Sequence, residues 1–168
     1  MGAGKTTVGV RLARELDWDF LDLDQEITRA QGQSIADIFS TAGEDRFREL
    51  EHAALVAALD RAQVIVALGG GALETAANRQ RLAAQPQTLL LYLEAPLDIL
   101  IARCEHQHRT EPQTARRPLL EQRPELTARF LRRQPFYQSA HWTLHTAECD
   151  IEEIVRTIVH RWKASTTG

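Results

Sequence analysis

The chain has 168 residues, 43% of them hydrophobic and 26% charged, with a formal net charge of −3, enough for one domain with a sizeable core. The lack of a basic excess argues against nucleic acid as the main partner, because nothing is left over to neutralise a phosphate backbone. Two distant cysteines, Cys104 and Cys149, make no disulfide framework, and no apolar run approaches a membrane span, so a soluble, cytoplasmic domain without membrane partners is expected.

The first stretch is Gly2-Ala3-Gly4-Lys5-Thr6-Thr7, the back half of the phosphate-binding pattern G-x-x-x-x-G-K-[ST]. Small residues let the backbone wrap an anion with its N–H groups pointing inward. Lys5 offers a point charge for the β- and γ-phosphates, and the Thr6 hydroxyl is a ligand for Mg²⁺. A helix follows from Lys5 to about Glu15, with Val8, Leu12 and Leu16 on one face, and it aims its positive end at the same anion.

Phe20-Leu21-Asp22-Leu23-Asp24 reads as a short strand leaving two carboxylates at its C-terminal end. Ser34 is a natural N-cap for a helical turn through Phe39. A longer helix is predicted from about Glu44 to Asp60, with Phe47, Leu50, Ala54 and Ala58 inward. Val64–Leu68 is a continuous apolar run halted by Gly69-Gly70-Gly71, the pattern of a strand buried on both faces of a parallel sheet.

A helix over Glu74–Ala84, a second buried strand over Thr88–Leu93 and a helix from Pro96 to about Cys104 come next. Residues 105–117 are polar and turn-rich, a loop long enough for a lid. The helix Pro124–Arg133, the strand Trp142–Thr146 and a last helix carrying Ile151, Ile154, Val155, Ile158, Val159 and Trp162 complete the chain. Alternating strands and helices predict an α/β fold, a three-layer open parallel sheet with helices on both faces. Ligands bind such sheets at the C-terminal strand ends, where Gly2–Thr7, Asp22, Asp24 and Gly69–Gly71 all fall.

Met1–Thr7, Leu21–Asp24, Ser34–Phe39, Phe47–Glu51, Gly69–Ala72, Arg117–Leu120 and Arg133–Tyr137 together resemble the shikimate kinases, small P-loop kinases of the nucleoside monophosphate kinase type. The resemblance implies transfer of the γ-phosphoryl group of ATP to the 3-hydroxyl of shikimate, with Mg²⁺, in aromatic amino-acid biosynthesis. It implies that Asp24 binds the acceptor hydroxyls and takes the proton of the attacking one, and that Asp22 helps hold Mg²⁺. By the same resemblance Arg48, Arg117 and Arg133 bind the substrate carboxylate, with Arg117 also reaching the γ-phosphate and Glu51 orienting Arg48. A planar guanidinium fork suits a carboxylate better than lysine does. Gly69, Gly70 and Gly71 approach the substrate with their backbone, and Arg103 packs on adenine or is merely a solvated helix-end arginine. A monomer is expected.

Cys104, His106 and His108 look like soft metal ligands, but no fourth ligand stands at suitable spacing, and a polar lid is the better reading. Rival functions are another small-molecule P-loop kinase, such as a gluconate kinase, or a non-catalytic nucleotide-binding domain. The loop's first glycine and the strand that ordinarily precedes it would lie before Met1. The sequence is therefore expected to be N-terminally shortened, from a start placed too late, and to lack the first strand. Either a gap at the sheet centre or closure of Val64–Leu68 on Thr88–Leu93 should follow.

Overall fold

The computed structural model describes residues 2–110 and 123–166. They divide into two compact units, one comprising the chain up to Lys5 with Leu89–Asp150, the other Thr6–Thr88 with Ile151 onward. Each unit contains one two-stranded parallel ribbon.

In the larger unit, α1 (Lys5–Leu16) leads into β1 (Asp19–Asp22), which pairs with β2 (Val64–Ala67) from Asp19↔Val64 to Asp22↔Ala67. Gly9 of α1 lies so close to the Phe20 ring that any side chain there would collide with it, which lets helix and strand approach tightly. The strand predicted to reach Asp24 ends earlier. Asp22 takes extended backbone angles and its Oδ1 accepts from Gln25 N at 3.4 Å, capping a helix the sequence reading missed, α2 (Leu23–Gln31). Asp24 therefore sits in the first turn of α2, where the helix dipole favours a carboxylate.

Ser34 caps α3 (Ile35–Leu59) as expected, in a reciprocal box with Asp37: Ser34 Oγ accepts from Asp37 N at 3.1 Å, and Asp37 Oδ2 accepts from Ser34 N at 3.4 Å. The break between the two predicted helical pieces is at Gly43, whose φ of 83° and ψ of 174° only glycine adopts without strain. Ile27, Ile38 and Phe47 form a buried cluster against which Ile35, Leu50 and Ala54 pack, and Ala58 is buried as predicted. After β2 the Gly69–Gly71 turn enters a short 3-10 helix, Ala72–Glu74, and then α4 (Ala76–Ala83). The last helix, α7 (Ile151–Thr166), buries Ile154, Val155, Ile158 and Val159, and its Trp162 meets Trp18 edge-on at 5.7 Å.

In the other unit, β3 (Leu91–Glu94) pairs with β4 (Trp142–His145) from Leu91↔Trp142 to Glu94↔His145. Thus, among the described residues, β2 pairs with β1 and β3 with β4; closure of Val64–Leu68 on Thr88–Leu93, one of the two expected outcomes, is not the pairing found. Nor are these strands buried on both faces throughout: only Ala67 of β2 and Leu93 of β3 are fully buried. Helix α5 (Leu97–Thr110) absorbs residues 105–110 of the predicted lid, because nothing between Cys104 and Thr110 breaks a helix. Residues 111–117, with Arg117, lie outside the described residues. Helix α6 (Arg123–Gln138) runs past the predicted end at Arg133, with Pro135 inside it on an exposed face.

No helix among the described residues is long and apolar enough to cross a membrane.

Candidate active site

The phosphate-loop residues Gly2, Ala3, Gly4 and Lys5 immediately precede and open α1. Gly2 has a φ of 66° and lies against the Leu100 carbonyl and Cys104 Sγ of α5. Both the backbone angle and the lack of space require glycine there. Cys104, for which a metal role was already set aside for want of a fourth ligand, is a buried residue packed against Gly2.

One residue into α1, the Thr6 hydroxyl donates to Asp22 Oδ2 at 2.9 Å. Asp22 uses its two oxygens differently, Oδ1 for the α2 cap and Oδ2 for Thr6. The pair brings two hard oxygen donors together at a helix N-terminus, a donor set that suits Mg²⁺. Thr7 is exposed in the same turn.

A second cluster forms around Gly69. A Cβ built there would lie 2.9 Å from Asp24 Oδ1 and 3.0 Å from Glu51 Oε1, so two carboxylates converge on this glycine. Glu51 is buried to 1% exposure and accepts from Arg48 Nη1 at 2.8 Å. Arg48 Nη2 donates to Glu44 at 2.9 Å and lies 3.7 Å from Glu74, while its guanidinium carbon is 5.4 Å from the Phe47 ring centroid. Burial works against the charge on Arg48, but the hydrogen bonds and charges of Glu51 and Glu44 outweigh it and hold its pKa above the ordinary arginine value. Arg48 is a permanent, rigidly aimed cation.

Glu51 as the residue that orients Arg48 was legible at the i+3 spacing, whereas Glu74 arrives from beyond β2 and carried no sequence signal. His52, next to Glu51 in α3, pairs with Asn78.

In the smaller unit Arg103 donates to Thr146 Oγ1 at 3.3 Å and to the Thr146 and Ala147 carbonyls just past β4. That excludes a merely solvated helix-end arginine. Arg133 is half-buried, and the adjacent Arg132 is exposed.

Comparison with known proteins settles which kinase this arrangement serves. The family described as shikimate kinase matches residues 1–163. The chain belongs to the shikimate kinase family. It is 43% identical to the shikimate kinase of Salinibacter ruber over 95% of this chain and 79% of that one. It is 37% identical to that of Alteromonas mediterranea over 96% of this chain and 91% of the other. Among solved structures, shikimate kinase from Acinetobacter baumannii in complex with shikimate superimposes with a TM-score of 0.82 at 32% identity, covering 98% of this chain and 89% of that one. The enzyme from Bacteroides thetaiotaomicron gives 0.86 at 27% identity, covering 97% and 94%. The fold is accordingly the α/β P-loop NTPase fold with parallel strands. The activity is that of an ATP-dependent kinase phosphorylating a shikimate hydroxyl, with Mg²⁺ as a general property of the family. Neither a gluconate kinase nor a non-catalytic domain is what the relatives point to.

Proposed function

We propose that residues 1–168 act as one monomeric, cytoplasmic kinase domain whose partners are ATP and shikimate, with no nucleic-acid or membrane partner, and that the chemistry is distributed as follows. Asp24 orients the shikimate 3-hydroxyl and accepts its proton as the oxygen attacks the γ-phosphorus. The bond from that phosphorus to the β,γ-bridging oxygen breaks, and ADP leaves with the electron pair. Little covalent help is needed in phosphoryl transfer, so positioning and charge neutralisation dominate. Lys5 and the amides of Gly2–Thr7 neutralise and hold the phosphates, and Arg117 reaches the γ-phosphate and the substrate. Arg103 supports the adenine end.

Mg²⁺, when bound, neutralises charge on the β- and γ-phosphate oxygens. Thr6 and Asp22 would hold it, Asp22 through water. Arg48 and Arg133 bind the shikimate carboxylate, and the backbone of Gly69, Gly70 and Gly71 lines the same pocket. Residues 105–117 form the lid in this reading, with its first part a continuation of α5.

The observation that supports the assignment is the convergence of the Asp24 and Glu51 carboxylates on Gly69, with Arg48 donating to the other oxygen of Glu51: an acceptor for a proton, and a carboxylate that holds a cation. A coupled ADP-release assay with shikimate and gluconate side by side tests it. Turnover with shikimate alone is expected; equal rates with gluconate would refute the acceptor assignment, and no ADP from either would refute catalysis.

A further inference from the structure

Asn78 is fully buried, at 0% exposure, and 26 residues separate it from its side-chain partner His52. Its Nδ2 donates to the Ala72 carbonyl at 2.8 Å. That carbonyl can only accept, so the amide must turn its NH₂ toward it and its Oδ1 toward His52. The Oδ1 to His52 Nδ1 distance is 2.7 Å, so Nδ1 must carry a hydrogen. The neighbouring Arg79 Nη1 donates to the Leu73 carbonyl at 2.6 Å and the Glu74 carbonyl at 2.8 Å. Helix α4 thereby grips three consecutive carbonyls of the segment that follows the triple glycine.

The turn itself is held by Ala72 N donating to Gly69 O at 3.1 Å and Glu74 N to Gly71 O at 2.9 Å. Fixing Ala72 therefore fixes the plane from which Gly69 faces Asp24 and Glu51. Fixing Glu74 sets the carboxylate that stands 3.7 Å from Arg48. Neither Asn78 nor His52 has a part in the chemistry proposed above.

We propose that Asn78, oriented by His52, is a positioning residue that latches the Gly69–Ala72 turn in the conformation that receives shikimate. The latch rests on the reading of Gly69–Gly71 as a substrate contact. A glycine-rich turn has large conformational freedom to lose, and a latch that removes it beforehand lowers the cost of binding.

The experiment compares wild type with Asn78→Ala, His52→Phe and His52→Gln. It measures melting temperature, kcat, KM for each substrate and amide exchange of residues 68–75, and the tautomer of His52 is read by long-range ¹⁵N–¹H NMR of the wild type. Asn78→Ala and His52→Phe should speed exchange in 68–75 and raise the shikimate KM about tenfold, the effect of unmaking a buried hydrogen bond. The ATP KM should stay within about twofold, and His52→Gln, which restores a donor, should recover most of the loss. His52 should show Nδ1–H. Should Asn78→Ala not fold, His52→Phe carries the test, since His52 is only half-buried.

Unchanged exchange in 68–75, or an Nε2–H tautomer, overturns the latch alone. Faster exchange with an unchanged shikimate KM overturns the substrate role of the turn, and the proposal with it.

Discussion

Gly69 and Asp24 are packed so that the space for a methyl group on one is taken by the carboxylate of the other, at 2.9 Å. Real Cβ atoms do not sit that close to an oxygen. The obstructing atoms are the ends of two side chains, so Gly69→Ala can be accommodated by swinging the Asp24 carboxylate aside while Glu51 gives by a few tenths of an ångström. The fold survives that adjustment but the proton acceptor does not stay in place. Gly69→Ala should melt within a few degrees of wild type and lose about 10²-fold or more in kcat/KM for shikimate, the lower range of a positioned general base. Steady-state kinetics alongside a thermal melt would check this; near-normal kcat/KM would mean that the Asp24 carboxylate needs no fixed place.

Asp24→Asn is the complementary change, since it keeps the shape and removes the acceptor. Its backbone carbonyl accepts from Thr28 Oγ1 at 2.9 Å within α2, and an amide there leaves the helix intact. Turnover should fall about 10²- to 10⁴-fold, or roughly 3–5 kcal/mol of barrier, with ATP affinity nearly unchanged. Retention of wild-type turnover would remove Asp24 from the proton transfer.

These two residues also mark how far the sequence could be read. Asp22 and Asp24 were singled out by their resemblance to the family pattern, since two carboxylates at a strand end can equally serve a cap or a turn. Their local structure was read wrongly. Phe20–Asp24 looks like one strand, yet Asp22 followed by Gln25 is also a helix start, and the cap won. Ser34 declared itself as a cap, so that helix start was found, whereas Gly43, which makes the break before Glu44, was not singled out. The pairing of Asn78 with His52 depends on tertiary placement of α3 and α4, which no local pattern encodes. Residues 105–110 were read as loop because a polar, turn-rich composition does not by itself stop a helix, and α5 runs on to Thr110.

Arg48 is proposed to bind substrate and also holds a buried carboxylate, and two substitutions separate the two roles. Arg48→Ala strands the Glu51 carboxylate, buried at 1% exposure, without its guanidinium. Breaking a buried pair from one side costs about 3–5 kcal/mol, so this variant should be severely destabilised, as chemical denaturation would register. Arg48→Lys keeps a charge beside Glu51 and should recover most of that stability. It loses the planar fork, and shikimate binding should still weaken by about 1.5–3 kcal/mol while ATP binding holds. Equal weakening for both substrates would point to general damage and not to a carboxylate site.

Removing the cap of the α3 helix tests the scaffold apart from the site. Ser34→Ala deletes the acceptor for Asp37 N at 3.1 Å and should cost about 1 kcal/mol in denaturant unfolding, leaving kcat intact. A loss well above about 2 kcal/mol would mean that Ser34 does more than cap.

Asp22 serves two partners, and its two duties can be separated by one atom. Asparagine caps helices about as well as aspartate, so Asp22→Asn should keep the contact to Gln25 N and leave α2 in place. What it removes is the negative charge beside the Thr6 hydroxyl, 2.9 Å away. A neutral amide is a poorer partner for a hard divalent cation, whether it binds the ion or a water on it. The Mg²⁺ concentration for half-maximal rate should therefore rise about 10- to 100-fold, the range typical of losing a partner around a metal. The melting temperature without metal should barely move. Thr6→Val, which deletes the hydroxyl while keeping the volume, should shift the same titration in the same direction. A lower melting temperature with an unshifted Mg²⁺ dependence would reverse the assignment, leaving Asp22 a helix cap and Thr6 its hydrogen-bond partner.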